Sequence, residues 1–349
     1  MYATMRMKKR EEVDPVIPSI RNIVLLVAFL YFQPLGSAQV IRIDRLPSND
    51  QQGGFFARWD PIQEQLIMYR NVAGRGAIAA KVVAKDGGVT QIVPLWDILG
   101  SQFMNVLDVA AMPDGATLIS GVVGYTPRGV RPAQLKSALL VFDRSGKLAS
   151  FWEVQPYEHD LVAVDPAGEV FGFGLSNLVE PYPLIVKYSP DGKVLKEFFS
   201  SSLLTNGEKD LFTIPTGEDN QLFISADELV LWLAYSKEVF RFSLDGALIA
   251  RVKISAALNG LLTSLGSTSV RVIHVSSTPE GDLLAQVSFL PKPVGGSQLT
   301  LVRVAADGSH ASIVSALEDT SRLIGRSASG KLIYLELDHS RKTVSLLER

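Results

Sequence analysis

The sequence predicts an all-β chain wound into a six-bladed β-propeller of four-stranded antiparallel blades, the last blade closed by the N-terminal strand. Three observations predict it. Turn triplets rich in Pro, Asp and Gly recur about every 50 to 60 residues, slightly above the ~40 to 50 of familiar four-stranded blades. The segments between them are short, fully apolar or alternating, and rich in β-branched and aromatic residues, as in Leu118 to Val123, Leu139 to Phe142, Leu229 to Ala234 and Leu283 to Val287. Such runs suit sandwiched strands rather than helices. The last copy of the repeat is one strand short, and a strand without a blade stands near the other end of the chain.

Residues 1–38 read as a targeting segment. Lys8, Lys9, Arg10 and Arg21 precede an apolar run from Ile23 to Phe32 and the small-residue end Gly36, Ser37, Ala38, which is the pattern of a cleavable signal. Glu11, Glu12 and Asp14 are out of place in a region that is usually cationic. The ten apolar residues before Gln33 and Pro34 fall short of the roughly 20 that span a bilayer. Cleavage after Ala38 leaves residues 39–349 as one domain, periplasmic or secreted, with no membrane span in the mature chain.

Val40 to Leu46 is the strand without a blade. The first blade turns at Asp60, Pro61 and again at Asp86, Gly87. The second is the clearest: it begins at Asp108, turns at Pro113, Asp114, Gly115, resumes at Ala138 to Asp143 and turns at Ser145, Gly146. The third runs from Asp160 to Asp165 and turns at Pro166, Ala167, Gly168, then at Pro190, Asp191, Gly192. Pro presets the φ of a turn and Gly accepts positive φ, so these triplets have a mechanical reason to recur. The fourth blade turns at Ala226, Asp227 and at Asp245, Gly246, and the fifth at Pro279, Glu280, Gly281 and at Asp307, Gly308. The sixth turns at Ser329, Gly330 and near His339 to Arg341, then ends after its third strand. Pairing the N-terminal strand with that blade would hydrogen-bond an edge that otherwise stays open.

Composition narrows the partners. The chain has 349 residues, 47% hydrophobic and 20% charged, with a formal net charge of −2, so it can bury a core and is not a disordered polyelectrolyte. Its 34 basic residues are scattered among 36 acidic ones, with none of the basic stripe that nucleic acid requires. There are no cysteines, which excludes disulfides, thiolate nucleophiles and thiolate metal sites.

The order of first strand, Pro-Asp-Gly, second strand, then a strand ending in Asp-Gly-Lys or its like resembles the six-bladed propellers of the NHL-repeat type, most clearly at Asp108 to Lys147 and Asp160 to Lys193. The resemblance implies the fold and leaves the activity open. Those repeats commonly carry Asp after the second strand and an Asn-His-Arg-like stretch before the third. Here these places read Val122, Val123, Gly124 and Leu175, Ser176, Asn177. Lactonases of the gluconolactonase type bind a divalent ion in the tunnel, and Asn259, Gly260 is similar to their Asn-Gly pair. It lacks the strand and Asp-Gly turn that follow in that family, and no matching Glu opens the first blade.

Propeller sites gather over the central tunnel, on the first strand of each blade. Asp108 and His274 share the position seven residues before their turn glycine, and Asp160 and Arg322 the position eight before theirs; His159 lies one residue nearer the loop. These five are the tunnel-mouth candidates. Asp108, His159, Asp160 and His274 supply the carboxylates and imidazoles that suit a cation or acid–base work. Tyr125, Arg128 and Arg131 lie in a loop between the second and third strands of blade 2 and are of the types that anchor a partner. No Gly-x-Ser-x-Gly elbow or phosphate loop occurs, and no cofactor is expected. The sequence therefore points to a recognition scaffold for a protein, peptide or glycan. A divalent-metal hydrolase or lactonase at the tunnel mouth is the rival.

Overall fold

A computed structural model describes residues 41–45, 55–72, 76–84, 86, 88–95, 103–125, 134–179, 181–205, 220–290, 299–317, 321–338 and 343–349. The targeting segment, Arg128 and Arg131 lie outside the described residues. Within them the strands group by sequence into blades. Blade 1 is β2 (Phe55–Asp60), β3 (Gln65–Val72), β4 (Gly76–Ala84) and β5 (Val89–Pro94). Blade 2 is β6 (Phe103–Ala111), β7 (Thr117–Tyr125), β8 (Gln134–Phe142) and β9 (Leu148–Glu153). Blade 3 is β10 (Tyr157–Val164), β11 (Val170–Ser176), β12 (Pro183–Tyr188) and β13 (Val194–Ser200). Blade 4 is β14 (Gln221–Ser225), β15 (Glu228–Leu233), β16 (Glu238–Ser243) and β17 (Leu248–Lys253). Blade 5 is β18 (Ser269–Ser277), β19 (Leu283–Leu290), β20 (Leu299–Val304) and β21 (Ala311–Leu317).

Blade 6 takes β22 (Ser321–Arg326), β23 (Leu332–Asp338) and β24 (Thr343–Glu348) from the C-terminus and β1 (Ile41–Arg45) from the N-terminus, in the order β1-β24-β23-β22. The expected closure is present: β1 pairs antiparallel with β24, Ile41 opposite Leu346 and Arg45 opposite Thr343. Every blade is antiparallel, and blades 1 and 2 also touch through one parallel bridge, Gly76 to Met104.

Gly87 and the turn expected near His339 to Arg341 lie outside the described residues, while the turns that fall on described residues are where the triplets placed them. Gly146 shows why one of them must be glycine: its φ is +81°, and a Cβ there would stand 2.3 Å from the Ile92 carbonyl oxygen of blade 1. The core sits between blades because both faces of each sheet are covered. Trp59 and Leu66 of blade 1 pack on Ile324, Ile333 and Leu335 of blade 6, and Phe171 and Phe173 of blade 3 pack on Leu229 and Phe240 of blade 4. Trp152 partly covers the cluster between blades 2 and 3. Trp59 Nε1 donates to the Arg326 carbonyl at 2.7 Å, which ties the first blade to the last.

Among the described residues two helices interrupt the strands. Helix α1 is a single turn, Ser202–Thr205, and α2 covers Ser255–Leu265 between blades 4 and 5. The sequence reading assigned no helix to this stretch. Leu258 and Leu262, one helical turn apart, are both buried against the core shared by blades 4 and 5, and Gly266 ends the helix at φ +64°, the usual left-handed stop. Asn259 and Gly260 are therefore helical, which removes their likeness to a tunnel ligand pair. No helix of the described residues is long and apolar enough to cross a membrane.

Candidate functional site

The first strands β2, β6, β10, β14, β18 and β22 surround one central cavity of about 680 Å³, and all six contribute to its lining. A recurring irregularity shapes the wall. In blades 2, 3 and 5 the ladder between first and second strand skips one residue, Leu107, Asp160 and Ile273. Each stands eight residues before its turn glycine. A bulge of this kind adds a residue, re-aims its side chain and leaves backbone groups without a ladder partner. Side chains from the preceding blade also accept from first-strand N–H groups of blades 3, 5 and 6. Asp108 Oδ2 accepts from the Val162 N–H at 2.8 Å, Gln221 Oε1 from the Val275 N–H at 3.0 Å, and Gln286 Oε1 from the Leu323 N–H at 2.8 Å.

Asp108 is a brace between blades. Besides Val162 it receives the Val109 N–H on Oδ1 at 2.9 Å and the Arg58 guanidinium on Oδ2. Arg58 starts in blade 1 and its other arm donates to the Leu222 carbonyl of blade 4 at 2.5 Å, so the guanidinium lies across the tunnel. The sequence reading missed Arg58, Gln221 and Gln286. The signal available was a polar side chain inside a first or second strand that is otherwise apolar.

His159 is not part of the cavity. It is 2% exposed, its Nε2 meets the Tyr188 hydroxyl at 2.7 Å, and its ring stacks on Tyr157. It has room because residue 172 is glycine, where a Cβ would come within 2.5 Å of the ring. The bulge at Asp160 separates the two neighbours: Asp160 faces the tunnel and His159 the inside of the blade. Burial pushes the imidazole down to about 3, so it is neutral at ordinary pH. His159 is a core residue.

Asp160, His274 and Arg322 do line the cavity. Burial, then the charges of Glu158 and Asp108, raise the Asp160 carboxyl to about 7. His274 is fixed by a chain of inference from the backbone. The Val275 N–H can only donate, so Gln221 presents oxygen to it and its amide N–H to His274 Nδ1, 2.9 Å away. Nδ1 therefore accepts and the proton of the neutral ring is on Nε2. Enclosure, with the cations of Arg322 and Arg58 nearby, depresses its protonation further. Phe56, Phe173 and Leu175 supply apolar wall.

Tyr125 ends β7, whose last residues pair with the start of β6, at the end of the ring where the first strands begin. Among the described residues no three His, Asp or Glu side chains group closely enough to hold a metal ion.

No protein-family model matches the chain, and no curated protein does. Solved structures with a similar course include a luciferin-regenerating enzyme (TM-score 0.48, 11% identity, 89% of this chain and 94% of that one). A gluconolactonase from Xanthomonas campestris gives 0.47 at 13% identity over 88% and 97% of the two chains. A virginiamycin B lyase from Staphylococcus aureus gives 0.45 at 11% identity over 89% and 99%. At these scores the similarity carries nothing about the site.

Proposed function

We propose that the protein is an exported recognition scaffold that holds part of a peptide, protein or glycan ligand in its central tunnel, without catalysing a reaction on it. The observation that carries this reading is the cavity itself. Its volume of about 680 Å³ is within the ~300–1,000 Å³ typical of ligand sites. Its wall combines apolar surface with the polar side chains of Asp160, His274 and Arg322. The rival, a metal-dependent hydrolase, would need Asp108 as a ligand. Both oxygens of Asp108 are already engaged by Arg58, Val109 and Val162, and replacing those contacts would unpair a cation and two backbone donors.

Calorimetric titration of peptide and oligosaccharide panels into the wild type and an Asp160→Ala, Arg322→Ala double variant tests the reading. Binding by the wild type that the folded variant has lost is the expected result. Equal binding by both would move the site out of the tunnel. Stoichiometric Ca²⁺ or Zn²⁺ in purified protein, lost in the variant, would favour the hydrolase. Export is checked by N-terminal sequencing from the host: the mature chain should begin at Gln39, and an exported chain that keeps residues 1–38 would carry an anchor.

A further inference from the structure

We infer that the tunnel ligand is a zwitterion the length of a di- or tripeptide, its ammonium at Asp160 and its carboxylate at Arg322; this rests on the tunnel being the binding site. The charged side chains of the lining sort themselves by what they already hold. Arg58 and Asp108 neutralise each other. Asp60 accepts the backbone N–H groups of Ile62 and Gln63, both at 3.0 Å. Arg326 is spent on the Gly330 carbonyl at 2.6 and 3.0 Å and the Ser277 carbonyl at 3.3 Å. Asp160 and Arg322 remain, and neither has an ion pair or side-chain hydrogen bond to any described residue.

The two are placed to act together. Each stands four residues before the end of its first strand, Asp160 in β10 and Arg322 in β22. Blades 3 and 6 are opposite members of a six-membered ring, so an anion and a cation face each other across the tunnel at a similar depth. Charges left in a partly dehydrated cavity without partners are costly, and a ligand carrying the complementary pair removes both costs at once. His274 is close enough to feel the Arg322 charge, and its Nε2–H adds a neutral donor on the carboxylate side. The apolar Phe56 and Phe173 wall suits the body of the ligand.

Length follows from volume. A sphere of about 680 Å³ is ~11 Å across, and an extended chain spans ~3.3–3.6 Å per residue, so two or three residues match that span. A neutral sugar would leave both charges unpaired.

The raised Asp160 carboxyl, held up by burial and by Glu158 and Asp108, supports the reading with a second readout. Pairing with an ammonium requires the ionised acid, so affinity should increase as pH rises through about 7 and decline again once the ligand's own amine, near ~8, loses its proton.

The test is calorimetric titration of trialanine, its N-acetylated form, its C-amidated form, free alanine and neutral oligosaccharides. The expected result is that the free tripeptide binds and that acetylation or amidation each weakens it at least ~10-fold, the loss of one charge-assisted contact. Asp160→Asn should remove the penalty for acetylation and the rise with pH while keeping the penalty for amidation. Arg322→Gln should do the converse. Equal binding of blocked and free peptides overturns the inference. Saccharides binding in place of peptides, and lost in the Asp160→Ala, Arg322→Ala double variant, would overturn it while leaving the tunnel reading intact. Peptide binding that the double variant retains would overturn both.

Discussion

Arg58 and Asp108, fifty residues apart in sequence, form an ion pair at the boundary of blades 1 and 2, and the same guanidinium ends on the Leu222 carbonyl of blade 4. With Asp108 also capping the Val162 N–H of blade 3, four blades converge on one pair of side chains. Both are largely shielded, with side chains 25% and 13% exposed, so removing one strands the other. Asp108→Ala should therefore destabilise the fold by ~2–4 kcal/mol, since it leaves a largely shielded cation without its counter-ion and two backbone donors, Val109 and Val162, without their acceptor. Urea unfolding of the two single variants and the Asp108→Ala, Arg58→Met double variant measures it. The double variant should cost less than the sum, and simple additivity would mean that the pair is not coupled.

Closure of blade 6 by β1 predicts the effect of truncation. Deleting residues 39–47 removes the strand paired along β24 from Ile41 to Arg45 and exposes an edge. At ~2 °C per kcal/mol for a chain of this size, the loss of several kcal/mol should lower Tm by about 10 °C. Calorimetry on the truncated chain decides it, and an unchanged Tm would count against closure.

Asp160 works against folding at high pH. Its folded carboxyl is raised to about 7 from 3.8, so between those values the native state binds the extra proton and stability falls as pH rises. Asp160→Asn should raise Tm at pH 8 and leave it nearly unchanged at pH 4. A variant less stable than the wild type at pH 8 would contradict the burial of an unpaired charge.

His159 has the opposite slope. Its folded value near 3 lies below the ordinary 6.5, so the unfolded chain binds more protons between them and stability is lost as pH falls through that window. His159→Phe should flatten the acid limb of a stability–pH curve and be more stable than the wild type at pH 4.

Gly172→Ala, whose Cβ would press on the His159 ring at 2.5 Å, should cost a few kcal/mol, as overpacked sites do. His159→Ala should rescue much of that loss. Equal cost in both backgrounds, measured by urea unfolding, would place the strain elsewhere.

The sequence by itself determined the repeat. Blade boundaries, turn positions and the borrowed strand are local matters of Pro, Gly and alternating apolar residues, each acting over a few positions, so they are legible without coordinates. It also placed Asp160, His274 and Arg322 near one mouth, because repeat position translates directly into height in the ring. It grouped His159 with them wrongly, for a physical reason, whereas Asp108 does line the same cavity. A one-residue bulge reverses which face a side chain takes, and no periodicity marks it, so His159 went into the blade and Asp160 into the tunnel. Only the tertiary structure decided which charges are spent. Whether Asp108 is a ligand or a brace depends on Arg58 from one blade and Val162 from another, contacts fifty or more residues away that ring closure brings together. Helix α2 was decided in the same way: its apolar residues suit either a strand or a helix until the core between blades 4 and 5 offers Leu258 and Leu262 a common face.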